Sequence, residues 1–298
     1  MLLPMDNLSY YIQQLLTGIS VGGQYALIAI GYTMVYGILR LINFAHGDIF
    51  MAAGFFMVYA SASLPLYISI PLVLLMTVIL GVSVERIAYK PLRQAPRMSI
   101  MISAIGVSYL LQNFATYYTG GLPRSYPTIP FISDIITIGS VTTSWITLLT
   151  PVLTLALVIG LVALIKYTKM GMAMRAVSKD FETAQLMGIK INNIISITFV
   201  IGSFLAGVGS ILFFTKYPTV LPTIGAMPGL KAFVAAVFGG IGSIPGAVVG
   251  AFVIGICENI IKAMGYTTFS DAFTFVLLIL VLAFRPSGLF GEKATEKV

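Results

Sequence analysis

The stretch GLKAFVAAVFGGIGSIPGAVVGAFVIGICENIIK, residues 229–262, is apolar almost throughout but is interrupted by Gly239-Gly240-Ile241-Gly242-Ser243-Ile244-Pro245-Gly246. A membrane crossing takes about 20 residues, so these 34 are too many for one helix and few for two complete ones. Gly weakens a helix interior and Pro removes a backbone donor. The expected result is two part-length helices meeting near the glycines. A break of that kind inside a bilayer must be packed in protein or line a cavity, because hydrocarbon cannot satisfy the freed backbone groups.

Composition agrees with a membrane setting. The chain has 298 residues, 58% of them hydrophobic and only 9% charged, with a mean hydropathy of +0.99. Soluble domains carry about 25% charged residues, so a soluble cytosolic enzyme is excluded and the excess apolar surface must face lipid. The length allows roughly eight or nine membrane segments and no separate soluble domain. The expected fold is therefore an all-α, polytopic membrane protein, with residues 1–298 as one transmembrane domain.

Apolar runs at 10–36, 48–63, 70–89, 99–119, 143–166, 192–214 and 271–284 are the other candidate spans. Arg40, the loop from Arg86 to Arg97, the loop from Lys166 to Lys190, and the tail with Arg285, Lys293 and Lys297 hold thirteen of the seventeen basic residues. The positive-inside rule places all of them in the cytoplasm and leaves 118–144 outside. Between Lys190 and Arg285 the chain must then cross an even number of times. Spans 192–214 and 271–284 supply two crossings, so 229–262 goes in and comes back. The same count puts the N-terminus outside and the C-terminus inside. Residues 1–11 lack Lys and Arg, so the first apolar segment is expected to be retained.

Cys257 is the only cysteine and His46 the only histidine, which excludes an internal disulfide, a thiolate cluster and a multi-histidine metal site. No cofactor is expected. A Walker A loop is absent from the sequence, so if the protein is energised by ATP another chain supplies the ATPase. The net charge of +7 marks the cytoplasmic membrane face rather than nucleic acid.

Two sets of residues are candidates for the pathway or its gates. Asn43, His46 and Asp48 stand at the start of an apolar helix. There Asn43 or Asp48 can cap free N–H groups, or the polar set can line the pathway, since ionisable groups inside a membrane are costly. The second set is Gly239, Gly240, Gly242, Ser243 and Gly246. Gly242, Gly246 and Gly250 share a helical face at four-residue spacing, which suits close packing of small residues or a hinge. Glu258, Asn259 and Lys262 are expected at the outer interface, where a lysine can snorkel. Two interrupted segments in comparable places of two halves fit a transporter built by duplication.

The loop at 166–190 mixes Met and Leu at helical spacing with charges of both signs, and is expected to form a short amphipathic helix. It either lies on lipid headgroups or docks a soluble partner. In the docked reading Met174 and Leu186 are buried at the interface, Arg175, Asp180 and Glu182 set its register, and Gly188 ends the helix as a left-handed cap.

Tyr25 to Ile38 followed by Asn43-Phe44-Ala45-His46-Gly47-Asp48 resembles the permease subunit of branched-chain amino-acid ABC importers, the LivH type. Gly171-Met172-Ala173-Met174-Arg175-Ala176, Ala184-x-x-x-Gly188-Ile189 and Gly239-Gly240-Ile241-Gly242-Ser243-x-x-Gly246-Ala247 extend the likeness along nearly the whole chain, in order. Glu182-x-Ala184-x-x-x-Gly188 is similar to the loop by which importer permeases engage their ATPases, with Thr183 departing from its second alanine. The resemblance implies a multi-pass subunit of the bacterial inner membrane. It also implies a heterodimer with a homologous permease, two cytoplasmic ATPase subunits and a periplasmic binding protein. Substrate stays open, since similar permeases serve urea, short amides and other amino acids. A self-sufficient secondary transporter or channel is the alternative reading; a membrane-embedded enzyme lacks a nucleophile, an acid/base pair or a metal set.

Overall fold

A computed structural model of the chain describes residues 7–291 apart from 94, 140 and 286. Lys293 and Lys297 of the basic tail lie outside the described residues.

Among the described residues eleven α-helices run in the order α1 (Asn7–Leu39), α2 (His46–Ser63), α3 (Leu66–Val84), α4 (Arg97–Thr119), α5 (Trp145–Tyr167), α6 (Lys169–Lys179), α7 (Phe181–Leu186), α8 (Ile191–Lys216), α9 (Ala226–Gly239), α10 (Ile244–Ala263) and α11 (Phe269–Phe284). A π-helical turn, Glu85–Tyr89, extends α3. Six of these helices are long and apolar enough to cross a membrane, while α9 and α11 are shorter apolar helices. The fold is helical, and the all-α expectation needs one amendment. Two short antiparallel ribbons lie outside the long helices: β1 (Arg124–Ser125) with β4 (Thr219–Val220), and β2 (Ile135–Ile138) with β3 (Val141–Ser144).

Helix α1 is the axis of the bundle. Its residues Ala26 to Ile30 are fully buried, enclosed by α10, α8, α9 and α5. Close approach is made possible by small residues: a Cβ on Gly18 would come within 2.9 Å of Ile256 Cα, and one on Gly22 within 2.7 Å of Phe252 Cα. Four-residue glycine spacing lets the two backbones meet where lipid offers no hydrophobic drive for association.

The 229–262 stretch does form two helices, but not two partial ones meeting inside the membrane. Helix α9 has 14 residues, whereas α10 has 20 and is long enough to cross. The break at 240–243 sits at one end of the bundle. There Gly242 lies beside Gly37 near the end of α1, and Leu289 and Phe290 donate backbone hydrogen bonds to Phe238 and Gly239 at 3.0 and 2.9 Å. Positive φ at Gly240 (+106°) and Gly242 (+98°) turns the chain there, a conformation that side chains with a Cβ resist. Gly242 precedes α10 instead of sharing its face. Gly246 and Gly250 are the two that pack, against Gly239 and Ala235 of α9.

The interior break lies elsewhere. After α1 ends at Leu39, residues 40–45 turn back into the bundle, and α2 starts with His46 against Gly31 and Gly202. Gly31 is eight residues, about 12 Å, up the helix from Leu39. Helix α9 begins at the same depth, with Gly225 and Gly229 touching Gly47.

Candidate translocation site

Two helix N-termini therefore meet in the middle of the bundle, which gives the site its chemistry. The first N–H groups of a helix have no partner in the helix and carry partial positive charge. In α9 no side chain offsets this: Gly225 at the cap has none and the first turn holds no acid, while Ala226 N–H donates to the Thr223 carbonyl at 3.2 Å. In α2 the first turn holds Asp48. Between them opens a cavity of about 320 Å³, whose polar groups come from Tyr32, Asp48, Ser108 and Gln112. Phe44, Ile105, Leu230 and Phe233 supply its apolar walls.

Asp48 is 2% exposed. Gln112 Nε2 donates to Asp48 Oδ1 at 3.0 Å and to Ser108 Oγ at 3.2 Å, which ties α4 to the start of α2. Neither Asn43 nor Asp48 caps α2, since Ala45 occupies the cap position without a side-chain bond. Of the capping reading the side-chain bond is absent, while Asp48 does stand in the first turn, where an acid favours the positive helix end. Asn43 is buried and instead accepts a 2.7 Å bond from the Tyr89 hydroxyl at the end of the π-helical turn. His46 is buried edge-on to Tyr32, with ring centroids 5.0 Å apart, and its Nε2 has no hydrogen-bond partner. Towards the 240–243 break the space narrows to a small gap among Tyr32, Tyr36, Ile42, Phe233, Ala236 and Ile241, with the Tyr32 and Phe233 rings 6.0 Å apart.

The structure separates the two sequence-derived groups of pathway candidates. Asp48 lines the cavity, and Asn43 and His46 flank it behind Tyr89 and Tyr32. Gly239, Gly240, Gly242, Ser243 and Gly246 lie at the other end of α9, where Ser243 Oγ caps α10 by accepting from Gly246 N–H at 3.2 Å. Gly225, Gly229, Ser108 and Gln112 were not singled out from sequence. The Gly225-x-x-x-Gly229 spacing was the available signal for the first pair.

At the same end as the break, the 166–190 loop forms two short helices in place of one. Thr168 Oγ1 accepts from Gly171 N–H at 3.1 Å and starts α6. Asp180 Oδ1 accepts from Glu182 N–H at 3.0 Å and Thr183 N–H at 3.1 Å and starts α7. Asp180 is thus a cap as well as a surface acid. Gly188 follows α7 at φ +82°, and Ile189 N–H reaches back to the Ala184 carbonyl at 3.1 Å, closing the helix end as a left-handed glycine does. Met174 (4% exposed) faces the bundle and is unavailable to a partner, while Leu186 is 87% exposed. Met172, Phe181, Leu186 and Met187 form the outward apolar surface, with Arg175 and Glu182 exposed beside it and Ala184 buried. Arg40 donates to the Ser178 carbonyl at 3.2 Å and links α6 to the end of α1.

Glu258 is 1% exposed and lies inside the bundle and not on its surface. It accepts from Lys231 Nζ at 2.8 Å, Lys262 Nζ at 2.5 Å and the Tyr25 hydroxyl at 3.0 Å. Asn259 is buried too and donates to the Gly255 carbonyl at 2.9 Å.

Comparison with known proteins accounts for this architecture. A family model described as branched-chain amino acid transport system, permease component, matches residues 14–282. The high-affinity branched-chain amino acid transport system permease protein BraD of Pseudomonas aeruginosa is 41% identical, covering 99% of this chain and all of the relative. The corresponding LivH protein of Escherichia coli K12 is 39% identical over 98% of this chain and 99% of its own length. A ribose import permease of Haemophilus influenzae, RbsC, is 26% identical over 90% of this chain and 83% of its own. Among solved structures, a metal-chelate type ABC transporter in an inward-facing conformation has a TM-score of 0.51 at 15% identity, covering 90% of this chain and 85% of that one, a likeness of fold alone. The chain belongs to the permease component family of branched-chain amino acid transport systems.

Proposed function

We propose that this chain forms the membrane pathway for branched-chain or closely related aliphatic amino acids, with the meeting of the α2 and α9 N-termini as its central binding site. The chain is a multi-pass inner-membrane permease subunit of an ABC transporter and not an enzyme, so ATP hydrolysis and substrate capture belong to other subunits. The observation that carries the site is the pairing of the α9 N-terminus, which neither an acid nor a side-chain cap offsets, with a buried carboxylate at Asp48 across one cavity. A zwitterion fits that polarity: its carboxylate turns towards α9 and its ammonium towards Asp48. Phe44, Ile105, Leu230 and Phe233 give an aliphatic side chain an apolar wall, which urea or a short amide would leave unfilled.

Residues 1–298 act as one permease domain that pairs with a homologous permease and engages two ATPase subunits through α6 and α7. The N-terminus faces out, and the C-terminus and α6–α7 face the cytoplasm. Motion of α6 passes through Arg40 to the end of α1 and the gap beside Tyr32 and Phe233, which opens the cavity inwards. ATP-dependent uptake of labelled leucine by proteoliposomes holding the complete importer tests the reading. Saturable uptake that leucine, isoleucine and valine compete for is expected; competition by urea or acetamide in their place would sink it.

A further inference from the structure

The positive-inside assignment leaves four basic residues unaccounted for: Arg124, Lys216, Lys231 and Lys262. Three of them gather on one side of α9, at the end of the bundle away from α6 and α7. Lys231 and Lys262 line a cavity of about 450 Å³ with Tyr25 and Glu258 at its polar corner. Lys216 stands next to Tyr217, another lining residue, with its Nζ 5.9 Å from that ring centre.

Two lysine ammonium groups share one buried carboxylate here, Lys231 and Lys262 on Glu258. Each ammonium has three donors. Lys231 uses two, on Glu258 at 2.8 Å and on Asp271 at 2.6 Å. Lys262 uses one, on Glu258 at 2.5 Å, and its side chain is 35% exposed; the Lys216 Nζ, buried outside the cavity lining, has no hydrogen-bond partner. Glu258 already accepts from three groups. Desolvated charges are expensive, and a well-packed apolar set would serve a purely structural brace at least as well. Ionisable groups kept inside a membrane protein point to a ligand or a pathway. The remaining wall is apolar, from Val21, Phe213, Ile224 and Met227.

We propose that this cavity is a second ligand site, separate from the one at Asp48, which receives an aliphatic carboxylate, the α-carboxylate end of an apolar amino acid, on Lys262 and Lys231 with its hydrocarbon part against Val21, Ile224 and Met227. The choice of an amino acid rests on the function proposed above; the demand for a carboxylate rests on the two lysine ammonium groups that line the cavity beside its apolar wall. Thr223 to Lys231 contribute to both cavities from opposite sides of one helix start, so occupation of the outer site bears directly on the position of α9.

The test uses the complete importer in nanodiscs without binding protein, in a Cys257→Ala background. One reporter is Met227→Cys, exposed in the outer cavity, and a second is Ser108→Cys in the central one. The rate of thiol modification is followed with L-leucine, with 4-methylpentanoate, which keeps the carboxylate and lacks the ammonium, and with leucinamide, which lacks the carboxylate. Leucine and 4-methylpentanoate should slow labelling at residue 227 several-fold, leucinamide should not, and Lys262→Met should raise the protecting concentration about tenfold. Lys262 is the variant of choice because Glu258 keeps Lys231 and Tyr25. Protection at residue 108 alone, or equal protection at residue 227 by leucinamide, would overturn the outer site. Protection at residue 227 without protection at residue 108 would overturn the central site and leave this one standing.

Discussion

Gly47 and Gly229 meet backbone to backbone: a Cβ on Gly229 would lie 2.9 Å from Gly47 Cα, and one on Gly47 would lie 3.1 Å from Gly229 Cα. This single approach brings the starts of α2 and α9 to one point. Gly229→Val is therefore expected to push the two N-termini apart at a cost of about 1–3 kcal/mol, the usual range for overpacking, and to reduce leucine uptake at least about tenfold. Uptake and thermal stability of the purified complex check it. A variant that assembles and transports at the normal rate would show that the junction can widen without consequence.

Asp48 is buried and held by Gln112, so Asp48→Asn preserves shape and removes charge. Loss of one charge-assisted hydrogen bond to an ammonium is worth about 1.5–3 kcal/mol, so the KM for leucine should rise about tenfold or more with little change in ATPase activity. Gln112→Leu should act in the same direction and less. An unchanged KM in Asp48→Asn would remove the carboxylate from the substrate's surroundings.

Helices α6 and α7, proposed above to engage the ATPase subunits, allow two kinds of failure to be told apart. Leu186→Arg and Met187→Asp change exposed side chains and should leave the permease intact while abolishing stimulation of the ATPase by substrate. Met174→Ala empties a buried position and should destabilise the membrane subunit by about 2–5 kcal/mol. Measuring melting temperature and stimulated ATPase activity on all three separates the effects. Full coupling in both surface variants would mean that α7 merely lies on lipid.

Orientation is checked by cysteine accessibility. In a Cys257→Ala background, Ser9→Cys should react with an impermeant reagent from outside, and Lys179→Cys and Thr295→Cys only after permeabilisation. Ser9 and Thr295 labelled from the same side would contradict the return of the 229–262 stretch.

Gly188 holds φ +82° with open space around its Cβ position, so Gly188→Val fails through backbone strain rather than through a clash. The expected loss is about 1–3 kcal/mol, read as local loosening of the loop at 187–190 by hydrogen exchange. Gly188→Asn, which tolerates the left-handed region better, should recover most of it.

The sequence by itself determined the class of protein, the position of nearly every long helix and the return of the chain through 229–262. Lipid imposes those features residue by residue: a span needs about 20 apolar side chains, and Lys and Arg mark its ends. The left-handed glycine ending α7 was legible for the same local reason, since only the backbone at Gly188 is involved. Tertiary structure alone decided which interruption lies at the centre. The glycines at 239–246 look like the more drastic break, yet they turn the chain at the bundle's edge, and the quieter segment at 40–45 re-enters it to set His46 against Gly31. Which side of an apolar helix faces inwards was equally hidden, because helices that are apolar all round have no amphipathic stripe to read. Glu258 in α10 is a case of this, buried among Lys231, Lys262 and Tyr25; Met174 is a different one, because the apolar stripe of amphipathic α6 is legible but packs on the bundle and not on a docking partner. Membrane insertion is a local property of each segment; the site is made by contacts between segments far apart in the chain, such as Asp48 with Gln112 and Lys231 with Glu258.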